Sequence, residues 1–227
     1  GLLVEPFQGR RNVVGLGAAG FGLQDVLLEP YGGQVLGLSV GATTGLTAFS
    51  SLGTLLGLGF CARILARGGD PARLAGLGAV IGISAFSAVI FSAPLSSIAL
   101  LCLGAAGIGL GSGLFGVATL TAAMTAAPMG QSGIALGAWG AVQATATGFG
   151  IIASGAIRDG VGALAMAGTL GPGLTLPSTG YSMVWHIEIL LLFLSLVALG
   201  PLARRARDAY SNRRPEPVSF GLAEFPT

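Results

Sequence analysis

Residues 12–33 read "NVVGLGAAGFGLQDVLLEPYGG", and the reading of this stretch decides the fold. Apolar and small residues run without a charge from Val13 to Leu23; Gln24, Asp25 and Glu29 then appear, and Pro30 follows. Such a run belongs in lipid, where a spanning helix needs about 20 mostly apolar residues. A carboxylate at the bilayer centre costs about 2.5–3.5 kcal/mol on insertion scales, so the acids are expected at the helix end. Pro30 disfavours helical geometry at Glu29, which makes "EPYGG" an expected turn at the membrane surface. On one helix Asp25 and Glu29 share a face and repel, and the dipole of the last turn disfavours both. Three unfavourable terms in one place demand a partner.

The rest of the chain speaks for the same solvent. Of 227 residues, 52% are hydrophobic and 9% charged, and mean hydropathy is +0.82, whereas a soluble domain carries about 25% charged residues. An all-α membrane protein follows, with six predicted spans at about 12–30, 40–62, 72–92, 97–126, 133–157 and 181–203. Residues 1–11 form a cytoplasmic lead-in and 204–227 a cytoplasmic tail. The chain starts with Gly1 rather than Met and shows no signal-peptide pattern, so it is expected to be a piece of something longer.

Orientation comes from arginine, because lysine is absent. Alternating six spans puts Arg10, Arg11, Arg63, Arg67, Arg73, Arg204, Arg205, Arg207, Arg213 and Arg214 on one side and leaves Arg158 alone on the other. By the positive-inside rule both termini are cytoplasmic. Arg158 is then the one basic residue on the side of Asp25 and Glu29, and it is expected near one of them. Gln24, Asp25, Glu29 and Arg158 together form a polar site at the membrane end.

Glycines 107 and 111, and again 109 and 113, have the small-xxx-small spacing that lets helix backbones approach closely. Tight packing and a flat slot for a planar ligand both remain open. Ser39, Thr43, Thr47, Ser51 and Thr54 form a hydroxyl stripe expected to face protein or a cavity. Trp139 and Gln143, one turn apart, either line a pocket or pack. Trp185 reads as an aromatic-belt residue, with His186 and Glu188 beside it near the headgroups; His186 is alternatively an axial donor to a tetrapyrrole magnesium. Cys61 and Cys102 read as small packing residues on opposite membrane faces, not as a disulfide.

The motifs of soluble enzymes are missing: no nucleophile elbow, no phosphate loop, no paired-cysteine metal site, and a single His. No catalytic residue, metal ion or enzyme activity is expected, and no basic face for nucleic acid is visible.

Three strings carry a resemblance: "GFGLQDVLLEPYGGQVLGLSVGATTGLTAFSSLGTLLG" (20–57), "GQSGIALGAWGAVQATATGFGIIASGAIRD" (130–159) and "FGLAEFPT" (220–227). The chain resembles the PucC/LhaA family, light-harvesting assembly proteins of purple phototrophic bacteria in the bacteriochlorophyll-delivery branch of the major facilitator superfamily. The six spans would be the C-terminal half of that fold, one six-helix repeat of two. The resemblance implies that the first and fourth spans face a central cavity, and that the second and fifth contact the N-terminal half. The third and sixth would be peripheral, with His186 and Glu188 facing lipid, pigment or partner. It further implies transient bacteriochlorophyll as cofactor, and light-harvesting α/β polypeptides and the reaction-centre core as partners. The bacterial inner or intracytoplasmic membrane is the implied location, and delivering or holding pigment during antenna assembly the implied role. The alternative is a proton-coupled transporter of a small solute working through Asp25 and Glu29.

Overall fold

The computed structural model describes the backbone of residues 4–211 except residue 129, and the side chains of residues 13–200 except residues 25 and 129. The described residues form helices joined by short links, with no strand among them. The helices are α1 (Val4–Gly22), α2 (Leu28–Leu36), α3 (Val40–Leu65), α4 (Pro71–Ser92), α5 (Ile98–Thr125), α6 (Ser132–Met166) and α7 (Ser178–Ser211). Five of them, α3 to α7, contain a stretch long and apolar enough to cross a bilayer. The chain is an all-α membrane protein.

The first predicted span is a broken rod. The apolar part of α1, Val13–Gly22, rises only about 15 Å, half of a 30 Å hydrocarbon core. A 3-10 turn, Leu23–Val26, follows, and helix resumes at Leu28. Proline explains the position of the break: its ring clashes with the carbonyl four residues back, and four back from Pro30 is Val26. The chain yields there and restarts, so Pro30 lies in the first turn of α2, where a missing N–H costs nothing. "EPYGG" is therefore a helix start and not the expected turn. The consequence for Glu29 is a change of sign, because a carboxylate in a first helical turn is favoured by the dipole. The actual turn comes later, at Gly37, whose φ of 67° only glycine adopts without strain.

The later boundaries follow their caps. Asp70 accepts from Ala72 N–H at 2.9 Å, with Pro71 opening α4, and Ser97 accepts from Leu100 N–H at 3.2 Å to open α5. Two helices outrun their predicted spans. α6 continues to Met166 instead of ending near 157, because "RDGVGALAM" contains no proline to stop it. α7 continues past 203 to Ser211.

α5 packs between α3 and α4. On one side Gly109 and Gly113 lie against the Ser50 and Thr54 carbonyls of α3, while Gly53 and Gly57 lie against the Ala106 and Leu110 carbonyls of α5. On the other side a methyl at Gly111 would sit 2.7 Å from the Gly78 carbonyl of α4, and the reciprocal clash is the same 2.7 Å. Of the spaced glycines of α5, Gly109, Gly111 and Gly113 are thus covered by neighbouring backbone, and Gly107 by the Ala85 methyl. Phe21 of α1 closes the core against Phe86 and Phe115, with ring centroids 6.5 and 5.8 Å away. Half of the most apolar stretch of α5 is buried (50%), against 17% for α3 and for α6. The outer faces of α3 and α6 display large apolar side chains such as Leu55, Phe149 and Ile152. Cys61 is buried, Cys102 half-buried, and both thiols are free.

Candidate functional site: a tyrosine–arginine end and a cleft at Trp139

The expected polar site divides into two. Arg158, on α6, donates to Gln34 Oε1 at 2.7 Å and to the Tyr181 hydroxyl at 2.8 Å, and it pairs with its neighbour Asp159. Its guanidinium carbon stands 4.8 Å from the Tyr181 ring centroid. Tyr181 also donates to Gln34 at 2.8 Å, so α2, α6 and α7 are tied at one point. Arg158 does reach the helix that carries Glu29, but at Gln34, five residues further on. Glu29 itself is exposed and accepts from Thr47 of the hydroxyl stripe. The backbone of Asp25 lies in the 3-10 turn, and its side chain falls outside the described residues. The break between residues 25 and 29 removes the shared helical face on which the repulsion argument stood.

Beneath this knot the aromatic residues pack inward. Trp185 is fully buried, edge-on to Tyr31 (centroids 4.4 Å, planes at 90°) and stacked on Tyr181 at 6.0 Å. The Tyr31 hydroxyl lies 3.0 Å from Ser92 Oγ of α4. The expectation of a lipid-facing belt residue is therefore corrected: Trp185 belongs to the interior. His186 and Glu188 also part company. His186 is exposed and its Nδ1 lies 2.6 Å from the Ser182 carbonyl, whereas Glu188 is fully buried. Two residues along a helix is a rotation of about 200°, so the two could never share a face, and Glu188 does not face lipid. Gln24 is buried as well. It falls at the level of Glu188, because Gly20 packs on Leu192 and Ser195 donates to the Val13 carbonyl further along the antiparallel pair α1 and α7.

Sequence reasoning missed Gln34, Tyr31, Ser92, Tyr181 and Asp159. The available signal was tyrosine itself. The chain has three, and two of them start or follow predicted spans, where a buried hydroxyl needs a partner.

The second half of the site is a cleft of about 420 Å³ between α1, α3, α5 and α6. Phe21, Gly113 and Trp139 line it, together with the polar Gln24, Gln143 and Thr147. Trp139 and Gln143 both line this cleft. Of the hydroxyl stripe only Thr54 lines this cleft, beside Ser50; Thr43 is buried, and Ser39, Thr47 and Ser51 are exposed. Trp139 is fixed in place: its indole N–H donates to Thr119 Oγ1 of α5 at 3.2 Å. Thr119 in turn donates to the Phe115 carbonyl at 2.8 Å. An aromatic wall, amide groups and a floor of small residues suit a flat, largely apolar molecule with a few polar points. Among the described residues no group of three or more His, Cys, Asp or Glu could hold a metal ion.

Comparison with known proteins places the chain among proteins of purple bacteria. A protein of Rhodobacter capsulatus described as an uncharacterized protein in the puhA-bchM intergenic region is 52% identical over 93% of this chain and 44% of its own length. Protein PucC of the same organism is 48% identical over 86% of this chain and 41% of its own. The bacteriochlorophyll synthase 44.5 kDa chain, also from R. capsulatus, is 31% identical over 81% of this chain and 42% of its own. The chain therefore spans less than half the length of these relatives. The family model described as PUCC protein matches residues 8–207, and the chain belongs to that family.

Proposed function

We propose that the chain is the membrane part of a non-catalytic assembly factor that holds or delivers bacteriochlorophyll while light-harvesting polypeptides are inserted around the photosynthetic reaction centre. The observation that carries this reading is the cleft at Trp139 in a chain of the PUCC family: one aromatic face, Gln143 beside it, and glycine-lined walls. An amide oxygen is a hard donor of the class that magnesium takes, so Gln143 is the residue of this cleft best suited to meet a magnesium tetrapyrrole. Trp139 would stack on the macrocycle, and Gln24 and Thr147 would orient its polar edge. Asp25, Glu29 and Arg158 belong to the end of the bundle, where Arg158 holds α2 against α6 and α7 and takes no part in ligand contact. His186, exposed on α7, is available to a partner polypeptide or to pigment.

The architecture in this reading is six spans, the first interrupted at residues 23–27, forming one half of a major-facilitator-like fold. Both termini and the Arg63–Arg73 link face the cytoplasm of a bacterial inner or intracytoplasmic membrane. The little-buried α3 and α6 would meet the N-terminal half of the same fold, and light-harvesting α/β polypeptides and the reaction-centre core would be the partners. Pigment co-purification tests the function. Gently solubilised full-length protein should show bound bacteriochlorophyll absorption, and Gln143→Leu should reduce it several-fold. Protein that carries no pigment but supports proton-coupled uptake in vesicles, abolished by Asp25→Asn, would establish the transporter instead.

A further inference from the structure

The link between α6 and α7 is unlike the α3–α4 link at the opposite end of the bundle. From Gly160 to Trp185 the sequence holds no charged residue, whereas Arg67, Asp70 and Arg73 crowd the α3–α4 link. Gly180, in the first turn of α7, sits against the Arg158 carbonyl and the Gly162 amide of α6. Residues 163–177 therefore stand past the Arg158 knot, and the end of α6 at Met166 rises only about 6 Å beyond Gly162. Aliphatic side chains are uncovered there: Leu164, Met166, Leu174 and Leu176 are all exposed, Met166 to 76%. The backbone of the link, by contrast, satisfies itself. Thr169 Oγ1 donates to the Leu164 carbonyl at 2.8 Å and Thr179 Oγ1 to the Leu174 carbonyl at 3.2 Å. The amides of Gly168, Gly171 and Leu174 each donate to the carbonyl three residues back.

We propose that residues 163–177 lie in the headgroup layer of the bilayer at the Arg158 end, where lipid and not a protein partner covers their leucines. The inference is independent of the pigment reading. It rests first on continuity with the lipid-facing surface. Met183, Leu190 and Val197 of α7 recur every seven residues, on one face of the helix, and are 47%, 54% and 57% exposed. Leu176, seven residues before Met183, is 61% exposed and prolongs the same spacing into the link. The exposure is also two-sided. Leu164 and Met166 are two positions apart on α6, a rotation of about 200°, yet both are uncovered. A protein surface would cover one side, whereas lipid surrounds both. Backbone with unmet polar groups is excluded from lipid, and the internal hydrogen bonds of the link remove that obstacle at headgroup depth. The rise beyond Gly162 also matches the about 5–10 Å over which interfacial segments are buried. Arg158, already shared among Asp159, Gln34 and Tyr181, brings no unpaired charge beneath it.

The test places a photoreactive benzophenone amino acid at Leu174, and separately at Leu176, in the full-length protein. After illumination in native membranes the adducts are identified by mass spectrometry. Leu190, exposed on α7, is the lipid-facing reference, and Arg67, exposed in the α3–α4 link, is the aqueous one. Phospholipid adducts from positions 174 and 176 are expected at a yield similar to that from position 190 and several-fold above that from position 67. Adducts to a polypeptide, or a lipid yield no higher than at position 67, overturn the assignment. Should the substituted proteins fail to accumulate, unaltered full-length protein in phosphatidylcholine vesicles is labelled with a membrane-partitioned aryl diazirine. Labelling of residues 164–176 equal to that of residues 190–197 supports lipid contact, and labelling no greater than that of the α3–α4 link overturns it.

Discussion

The Arg158 end and the Trp139 region share α6 but are built under opposite rules. At the Arg158 end, α2, α6 and α7 spend large side chains on one another: an arginine, two tyrosines, a tryptophan and a glutamine fill the space between backbones. Around Trp139, α1, α5 and α6 present mostly glycine, alanine and threonine, and the space stays open. Without water, helices in a bilayer associate through close packing and internal hydrogen bonds. The first region uses both means. The second packs small side chains and leaves space between them, with Trp139 anchored to Thr119.

This contrast can be broken in order of expected effect. Gly109→Leu should be the most damaging substitution, because its side chain enters the space of the Ser50 carbonyl of α3, which cannot move aside. A loss of about 3 kcal/mol, at the upper end for overpacking, should appear as a sharp fall in thermal stability in detergent and in membrane accumulation. Arg158→Ala should cost about 1–2 kcal/mol, a moderated value for hydrogen bonds to a partly exposed charged group, read from the same melting curves. Arg158→Lys should recover little of it, since an ammonium cannot reproduce the planar fork.

What the sequence disclosed divides along a physical line. Hydropathy reports length in lipid, so α3, α4, α5 and the start of α7 fell where the apolar runs placed them. The break at residues 23–27 was hidden because the effect of a proline on the preceding turn was credited to the following one. Glu188 was misplaced next to His186 because neighbours in sequence were treated as neighbours in space. The Arg158–Gln34–Tyr181 junction links residues 124 and 147 positions apart in pairs, and periodicity along one helix carries no information about such distances. Trp139 and Gln143 were found because their spacing is local, four residues on one helix.

Two milder changes sharpen the comparison. Trp139→Phe keeps the aromatic wall and removes the bond to Thr119. Stability should fall by about 1 kcal/mol, and hydrogen exchange should rise in the part of α6 around residue 139 while its Arg158 end keeps its protection. Glu29→Gln should change stability by less than about 0.5 kcal/mol, as surface substitutions do, because the amide oxygen still accepts from Thr47. A large effect there would mean that the charge on Glu29 does more than hold α3.

The interlocked glycines of α3, α4 and α5 have one mechanical consequence. Backbones that touch carbonyl to α-carbon cannot slide by a fraction of a turn without collision, so these three rods travel as a single plate.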